Sequence, residues 1–459
     1  MRIRFDRGTL VLDRVAPGLA PGILDGATWD PELAAWRMPA ESLSGLRVRL
    51  ADAGVRPTDD LRPPALDAAW NLPALRWYQQ AALAAWHRSG ARGVLALPTG
   101  SGKTIAALAA IAELAVATLV LVPTRVLLDQ WATVLEAYGP RPVGRLGDGD
   151  HRVAPITVAT YASAITWAPR IGDQFGLVIV DEAHHVGAWC PSEVLEMLVA
   201  PARLGLTATP PHGATALAIE RHVGPVVYTV TVDELAGDAL APFDVLTIPV
   251  GLTPVERATY RTHRGRFAAS YGELQRRSPG ASWHEFVEVA QRSASGRQAL
   301  AAWRASRAVL AYPTGKRAAL RELLARHRDD RVLVFTADNA TAYAIARELL
   351  VVPITADIRR AERATMLERF RAGDAPVLVS SQVLDEGLDV PEAEVAIIVG
   401  GSGSERRHIQ RVGRVLRPRT GKRARIYELA VEATAEIGVV ERRRRGLSAE
   451  TEPAMEAAP

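Results

Sequence analysis

Continuous apolar runs recur along this chain, separated by stretches with helical spacing. Residues 93–97, 118–122, 156–159, 177–180 and 204–206 form one series, and 332–335, 377–379, 395–399 and 424–427 form a second. Short runs without alternation predict strands covered on both faces, and therefore parallel sheets with helices on either side. The spacers 79–88, 105–117, 341–350 and 361–370 contain no Pro or Gly and predict helices. Ahead of the first series, residues 1–5 alternate, turn at Asp6-Arg7-Gly8 and predict a hairpin with 9–12; residues 43–50 predict a further strand. Residues 56–73, rich in Pro and Asp, read as a linker. Between the two series the strand rhythm is lost over 253–312, which predicts helices. The expected fold is α/β: two tandem parallel-sheet lobes, a small N-terminal α/β domain and a helical insertion. The expected boundaries are 1–66 for the N-terminal domain, 67–232 and 233–434 for the lobes, with the insertion at about 253–312 in the second, and 435–459 for a basic, disordered tail.

Composition narrows the classes. At 459 residues the chain is long enough for two or three full cores, and 48% hydrophobic with 23% charged residues is ordinary for a globular protein. No apolar run reaches the length of a membrane span, and the segment Met1-Arg2-Ile3-Arg4-Phe5-Asp6 lacks the apolar core of a signal peptide. A cytoplasmic protein with no membrane partner is expected. The single cysteine, Cys190, excludes an internal disulfide and a cysteine-rich metal site, and reads as a small apolar residue. The net charge of +4 permits nucleic-acid binding without arguing for it. One bias is informative: of 55 basic residues only Lys103, Lys316 and Lys422 are lysines. A chain that prefers Arg this strongly places Lys where a compact ammonium is needed.

Lys103 stands in Leu97-Pro98-Thr99-Gly100-Ser101-Gly102-Lys103-Thr104, between the predicted strand 93–97 and the predicted helix 105–117. Strand, glycine-rich turn and helix are the context of a phosphate-binding loop. Gly100 and Gly102 allow the backbone to approach an anion, and the N–H groups around Ser101 and the helix start point at it. Lys103 supplies charge for the outer phosphates and Thr104 a hydroxyl for Mg²⁺. Leu97 departs from the general spacing, which has Gly or Ala there. Just upstream, Leu75-Arg76-Trp77-Tyr78-Gln79 opens a helix, and the Gln79 amide has the donor and acceptor that an adenine edge requires, which makes Arg76 and Gln79 candidate nucleotide-binding residues.

In parallel sheets, ligand chemistry gathers at the carboxyl ends of the strands. There stand Thr124 and Arg125, Thr160, Asp181-Glu182-Ala183-His184 and Thr207-Ala208-Thr209-Pro210. Asp181 follows Leu177-Val178-Ile179-Val180 directly, so its carboxylate emerges beside the phosphate loop as a candidate Mg²⁺ ligand. Glu182 is placed to orient, or take a proton from, an attacking water. Without the phosphate loop, two acids at a strand end would read as a helix cap.

Together with Thr207-Ala208-Thr209 and the distant Gln410-Arg411-Val412-Gly413-Arg414-Val415-Leu416-Arg417, these motifs resemble a superfamily 2 helicase of the DEAH-containing kind, over most of residues 75–430. Gly224-Pro225-Val226-Val227-Tyr228, Leu240-Ala241-Pro242 and Ile248-Pro249-Val250 are similar to the XPB-type DNA translocases. The resemblance implies two RecA-like lobes, ATP as the nucleotide and Mg²⁺ as its metal. It also implies a nucleic-acid backbone gripped by strand-end residues of both lobes: Thr124, Arg125 and Thr160 in the first, Ser381 in the second. Gly387 and Asp389 would face the nucleotide. Gln410, Arg414 and Arg417, at i, i+4 and i+7, share one helix face, and the two arginines have the spacing of arginine fingers. XPB-type proteins carry an Arg-Glu-Asp element after the threonine motif; this chain reads Pro211-His212-Gly213-Ala214, so the strand-opening role of that element does not carry over.

The activity so implied is ATP-dependent movement along nucleic acid or strand separation, with DNA favoured over RNA by the XPB-type resemblance. A translocase that moves on duplex without unwinding, as the motor of a repair, transcription or defence complex with protein partners, is the alternative. A clamp that binds ATP without turnover is a third reading, against which Glu182, Gln410 and the finger arginines argue. The Arg and aromatic residues of 253–312, among them Tyr260, Tyr271, Trp283 and Trp303, fit either contacts to a strand or a solvated helical hairpin with an aromatic core. Trp29 and Trp36, with Arg37, likewise face a nucleic acid or fill the core of the N-terminal unit.

Overall fold

The computed structural model describes residues 1–16, 21–59, 61–381, 393–401, 408, 413, 415–416 and 423–444. The chain divides into two compact units, Met1–Glu234 and Leu235–Pro459. The first unit holds two sheets. Its N-terminal sheet runs in the order Thr28–Asp30, Ala35–Pro39, Thr9–Asp13, Arg2–Asp6, Thr58–Asp59, antiparallel except for the last pair. The predicted hairpin is present, but residues 43–50 are not a strand. Leu43, Leu46 and Leu50 recur at helical rather than alternate spacing and bury one face of the helix Leu43–Asp52. Trp29 stands half exposed edge-on to Trp36, with ring centroids 5.5 Å apart. Arg37 is held between Asp6 and Asp30, each 2.6 Å away.

The second sheet of this unit is ordered Val226–Thr229, Arg92–Ala96, Ala202–Thr207, Leu177–Val180, Thr118–Val122, Ile156–Thr160, Gly144–Gly147, Asp150–Arg152. It is parallel except for the closing hairpin of the last two. The five central strands are buried almost throughout, which is why they read as unbroken apolar runs. Residues 61–73 are strapped onto the helix ends of this lobe rather than hanging between domains. Leu66 N donates to Ala115 O (2.7 Å), Ala117 N to Pro64 O (3.0 Å) and Asn71 N to Tyr138 O (2.9 Å). Trp70 covers Gly139, where an added Cβ would lie 2.5 Å from the ring.

The second unit has a six-stranded parallel sheet in the order Phe243–Val250, Ala424–Val431, Val395–Ile398, Val332–Phe335, Val377–Ser380, Val352–Ile354. Phe243–Val250 escapes the sequence reading because it is an edge strand, where Asp244, Thr247 and Pro249 are tolerated and the apolar run is broken. The insertion forms three helices, Pro254–Arg277, Trp283–Gln291 and Ala294–Ala311. Phe267 and Phe286 are buried with Tyr271 and Trp303 packed against them as the core of the insertion, and Trp283, 41% exposed, lies at its edge 4.7 Å from Trp303. Part of the expected disordered tail is ordered: Glu436–Arg444 is a helix with Arg443 buried, its Nη2 donating to Gly401 O (2.6 Å), and 445–459 lie outside the described residues.

Candidate functional site

The phosphate-loop sequence folds as its spacing requires. The strand Arg92–Ala96 runs into the loop, and the helix Lys103–Leu114 begins at Gly102, which has φ 81° and ψ 37°. Gly100 also lies at positive φ, 86°. Glycine at 102 meets a second constraint, because a Cβ there would sit 2.7 Å from Gln79 Nε2. Gln79, on the helix Trp77–Arg88, donates from Nε2 to Ser101 O (3.2 Å) and Gly102 O (3.1 Å), and accepts at Oε1 from Arg76 N (2.9 Å). In this structure its amide braces the loop rather than standing open to a base edge. Tyr78, which sequence reasoning passed over, donates its hydroxyl hydrogen to Ser101 O. Ser101 is buried and donates to Pro98 O (2.7 Å). Lys103 Nζ reaches Leu97 O (3.0 Å) and Pro98 O (3.3 Å) at the base of the loop.

The strand Ala202–Thr207 lies between the strand entering the loop and the strand Leu177–Val180. Leu97 N donates to Thr207 O (2.9 Å), which seats the loop beside the threonine motif. Asp181, at the end of its strand, is buried; its carboxylate accepts from Trp131 Nε1 (2.8 Å) and from Glu182 N (2.9 Å). Burial pushes the Asp181 carboxyl above the usual range, against the pull of the Trp131 bond and of the Lys103 charge. Tyr161 donates its hydroxyl hydrogen to Asp181 O. Trp131 was not foreseen, since it acts on a residue 50 positions away and nothing local marks it. Glu182 adopts left-handed backbone, φ 49° and ψ 49°, a conformation that costs a non-glycine residue about 1 kcal/mol or more and collects at functional sites. His184 Nδ1 lies 3.4 Å from Glu182 Oε2 and 3.3 Å from Thr207 Oγ1, which ties the carboxylates to the threonine motif. Cys190 is fully buried and its thiol is pushed up to about 12 by burial, in keeping with a core residue.

The nucleic-acid candidates occupy strand ends as expected, and each also has a local role. Thr124 caps the helix Arg125–Tyr138 by accepting from Leu127 N (3.3 Å). Arg125 pairs with Asp148 (2.5 Å) on the surface. Thr160 caps the helix Tyr161–Ile171 by accepting from Ser163 N (3.2 Å). In the second unit Ser381 donates to Asn339 Oδ1, and Asn339 donates to Asp357 (2.9 Å). A cavity of about 320 Å³ in that unit is lined by Arg264, Arg304 and Arg307 of the insertion and by Asp338 and Gly400 at strand ends. Gly387, Asp389, Gln410, Arg414 and Arg417 lie outside the described residues. At the position of the missing Arg-Glu-Asp element the chain turns through Gly213 (φ 61°) into the helix Ala214–His222.

Parallel sheets in both units, a phosphate loop, and a strand-end carboxylate pair in the first define a RecA-like phosphate-loop protein with two lobes. Comparison with known proteins agrees and narrows the class. Residues 3–60 match the family described as the Xeroderma pigmentosum group B helicase damage recognition domain, 72–212 the type III restriction enzyme res subunit, and 315–419 the helicase conserved C-terminal domain. The chain is 35% identical to the DNA 3'-5' translocase XPB2 of Sulfurisphaera tokodaii over 96% of its own length and 99% of the relative. It is 29% identical to the DNA 3'-5' helicase XPB of Mycobacterium tuberculosis over 82% of its length and 64% of that relative. In fold it is similar to the crystal structure of the Pyrococcus furiosus Hef helicase domain, with a TM-score of 0.54 at 20% identity over 81% of this chain and 98% of the other. The chain belongs to the XPB-type family of superfamily 2 helicases.

Proposed function

We infer that this protein is an ATP-dependent DNA helicase or translocase whose hydrolytic site is built at the strand ends of the first unit. The observation that carries the reading is the hydrogen bond from Leu97 N to Thr207 O (2.9 Å) together with His184 lying between Thr207 and Glu182. It joins the phosphate loop, the threonine motif and the carboxylate pair into one surface. Gly100 and Gly102 at positive φ, and the hydroxyl and carboxylate donors of Thr104 and Asp181, fit a nucleoside triphosphate with its divalent cation. Thr104 and Asp181 are the residues that would hold Mg²⁺, which when bound draws charge off the phosphate oxygens. Lys103 binds the outer phosphates, and Glu182 orients the attacking water and receives its proton. Gln410, Arg414 and Arg417 are assigned from sequence as the second lobe's contribution to hydrolysis, with Gly387 and Asp389 facing the nucleotide. Thr124, Arg125, Thr160 and Ser381 are assigned to the DNA backbone, so little sequence preference is expected. Protein partners in a repair or transcription assembly are proposed by analogy with the family. Among the described residues, no helix is long and apolar enough to cross a membrane.

The test is Glu182→Gln, which keeps the shape of the side chain but cannot accept a proton. ATP should still bind, turnover should fall by at least ~10², and the stalled protein should stay on DNA longer than wild type. Phosphate release measured on single-stranded DNA, duplex DNA and RNA gives both the rate and the preferred polymer. Normal hydrolysis by the variant would remove Glu182 from this role, and stimulation by RNA alone would overturn the choice of DNA.

A further inference from the structure

The tetrad Asp181-Glu182-Ala183-His184 is followed by a second histidine, His185, to which the reading above gives no task. His185 is 5% exposed, and its ring centroid lies 4.1 Å from that of His184. The two Nε2 atoms are 3.1 Å apart, so one ring donates to the other. The chain then folds back on itself. The His185 carbonyl accepts from the N–H groups of Ala188 (3.0 Å), Trp189 (3.0 Å) and Cys190 (2.9 Å), and Gly187 makes the turn at φ 81°. This lays Trp189 flat on His185, with centroids 4.2 Å apart and planes 5° from parallel, although Trp189 is 58% exposed.

The direction of the His184–His185 bond follows from the neighbours. Thr207 Oγ1 gives its one hydrogen to Thr209 O (2.9 Å), so toward His184 Nδ1 it only accepts. Glu182 Oε2 lies at ion-pair distance, 3.4 Å from the same nitrogen but outside hydrogen-bond geometry, and as a carboxylate oxygen has no hydrogen to give. The proton of neutral His184 therefore belongs on Nδ1, and its Nε2 offers a lone pair. The donor to that lone pair is His185 Nε2–H. We propose that His185 is a positioning residue for ATP hydrolysis: its Nε2–H holds His184 in the Nδ1–H tautomer, which gives a donor to Thr207 and sets that N–H beside Glu182, and Trp189 clamps the His185 ring from the solvent side. The inference rests on the assignment of Glu182 above.

Imidazole-nitrogen NMR of the full-length wild-type chain, with His184→Gln and His185→Gln used for assignment, reads the tautomer directly. His184 is expected protonated at Nδ1 and His185 at Nε2; a His184 protonated at Nε2 alone overturns the proposal without recourse to any variant's activity. In DNA-stimulated ATPase assays His185→Phe should lower kcat by roughly tenfold, the scale of losing an orienting partner, with KM for ATP within about twofold. His185→Gln, which keeps a donor, should recover most of that loss, and Trp189→Ala should show a smaller loss with the same split. If Phe and Gln fall alike, ring shape rather than the donor matters and the proposal is wrong. If Glu182→Gln hydrolyses ATP normally, the assignment of Glu182 fails; if Glu182→Gln is inactive while His185→Phe turns over normally, only this inference fails.

Discussion

At Lys316 an ammonium is fully buried and meets three oxygens, Leu310 O (2.8 Å), Val399 O (2.7 Å) and Glu436 Oε1 (2.8 Å). Burial pushes its pKa down, opposed by the Glu436 carboxylate. Three donors on one small centre suit this socket, and a guanidinium fork does not. The rarity of lysine therefore marked a structural site as clearly as it marked Lys103. Lys316→Met should destabilise by about 3 kcal/mol, because two carbonyls lose their donor away from water and Glu436 loses its partner. Lys316→Arg should also destabilise, through misfit rather than charge. Denaturant midpoints at constant m-value check both, and an unchanged midpoint for the Met variant would mean that the socket hydrates. Lys103→Ala should behave in the opposite way, with an intact fold and no detectable ATP turnover, since its ammonium is only part-buried at the phosphate loop and not enclosed as that of Lys316 is.

Among the elements, the helix starts are the most explicitly written in sequence. Thr253-Pro254-Val255-Glu256 opens the helix Pro254–Arg277 with a capping box, in which Glu256 accepts from Thr253 N (2.9 Å). The other oxygen of Glu256 accepts from Thr314 N and Thr314 Oγ1, both at 2.9 Å, at the start of the helix Thr314–Arg326. One carboxylate thus staples the insertion to the lobe. Partial burial raises the Glu256 pKa, but the bonds from Thr314 and Thr253 outweigh it and hold the carboxyl at about 2, below its ordinary value of 4.5. The folded carboxyl is the stronger acid, so its contribution is complete above the unfolded value and is lost as pH falls from there through about 2. The melting-temperature gap between wild type and Glu256→Gln should be constant near about pH 6 and shrink progressively below about pH 4.5. A gap independent of pH would show that folding leaves the Glu256 pKa unchanged, against the bonds described here. What sequence reading misses at this scale is tertiary in origin. The edge strand Phe243–Val250 has a broken apolar pattern, and the loop-bracing role of Gln79 depends on carbonyls 22 and 23 residues away.

At the scale of the whole molecule, the N-terminal sheet carries no motor motif, and on sequence alone removing residues 1–66 is expected to reduce affinity or substrate choice more than intrinsic ATPase. The packing within the first unit changes that expectation. The apolar core of the sheet takes in Val199, Gly8 lies against Met197, and Glu41 accepts from Arg203 (3.3 Å) and sits 3.0 Å from His222 Nδ1. Arg203 is completely buried on the strand that ends in Thr207, and burial pushes its pKa down to about 10. Glu41→Ala should cost about 3 kcal/mol by orphaning that charge, or roughly 6–12 °C in melting temperature for a unit of this size; deletion of 1–66 should cost more, with ATPase lost alongside the fold. No such coupling was visible in sequence, because 162 residues separate Glu41 from Arg203. The converse case is Gln410, Arg414 and Arg417, whose spacing carries the assignment without help from described structure. Arg414→Ala and Arg417→Ala act on a nucleotide held more than 300 residues away in sequence, so they matter only if the second lobe contributes charge during hydrolysis. A finger supplies ~10³ or more in rate, whereas nucleotide affinity, set by the phosphate loop, should change far less. DNA binding without ATP should survive, because it is spread over several phosphates, each contributing about 0.9 to the salt slope on duplex. Turnover retained with DNA binding lost, in either variant, would move these arginines from the hydrolytic site to the DNA surface.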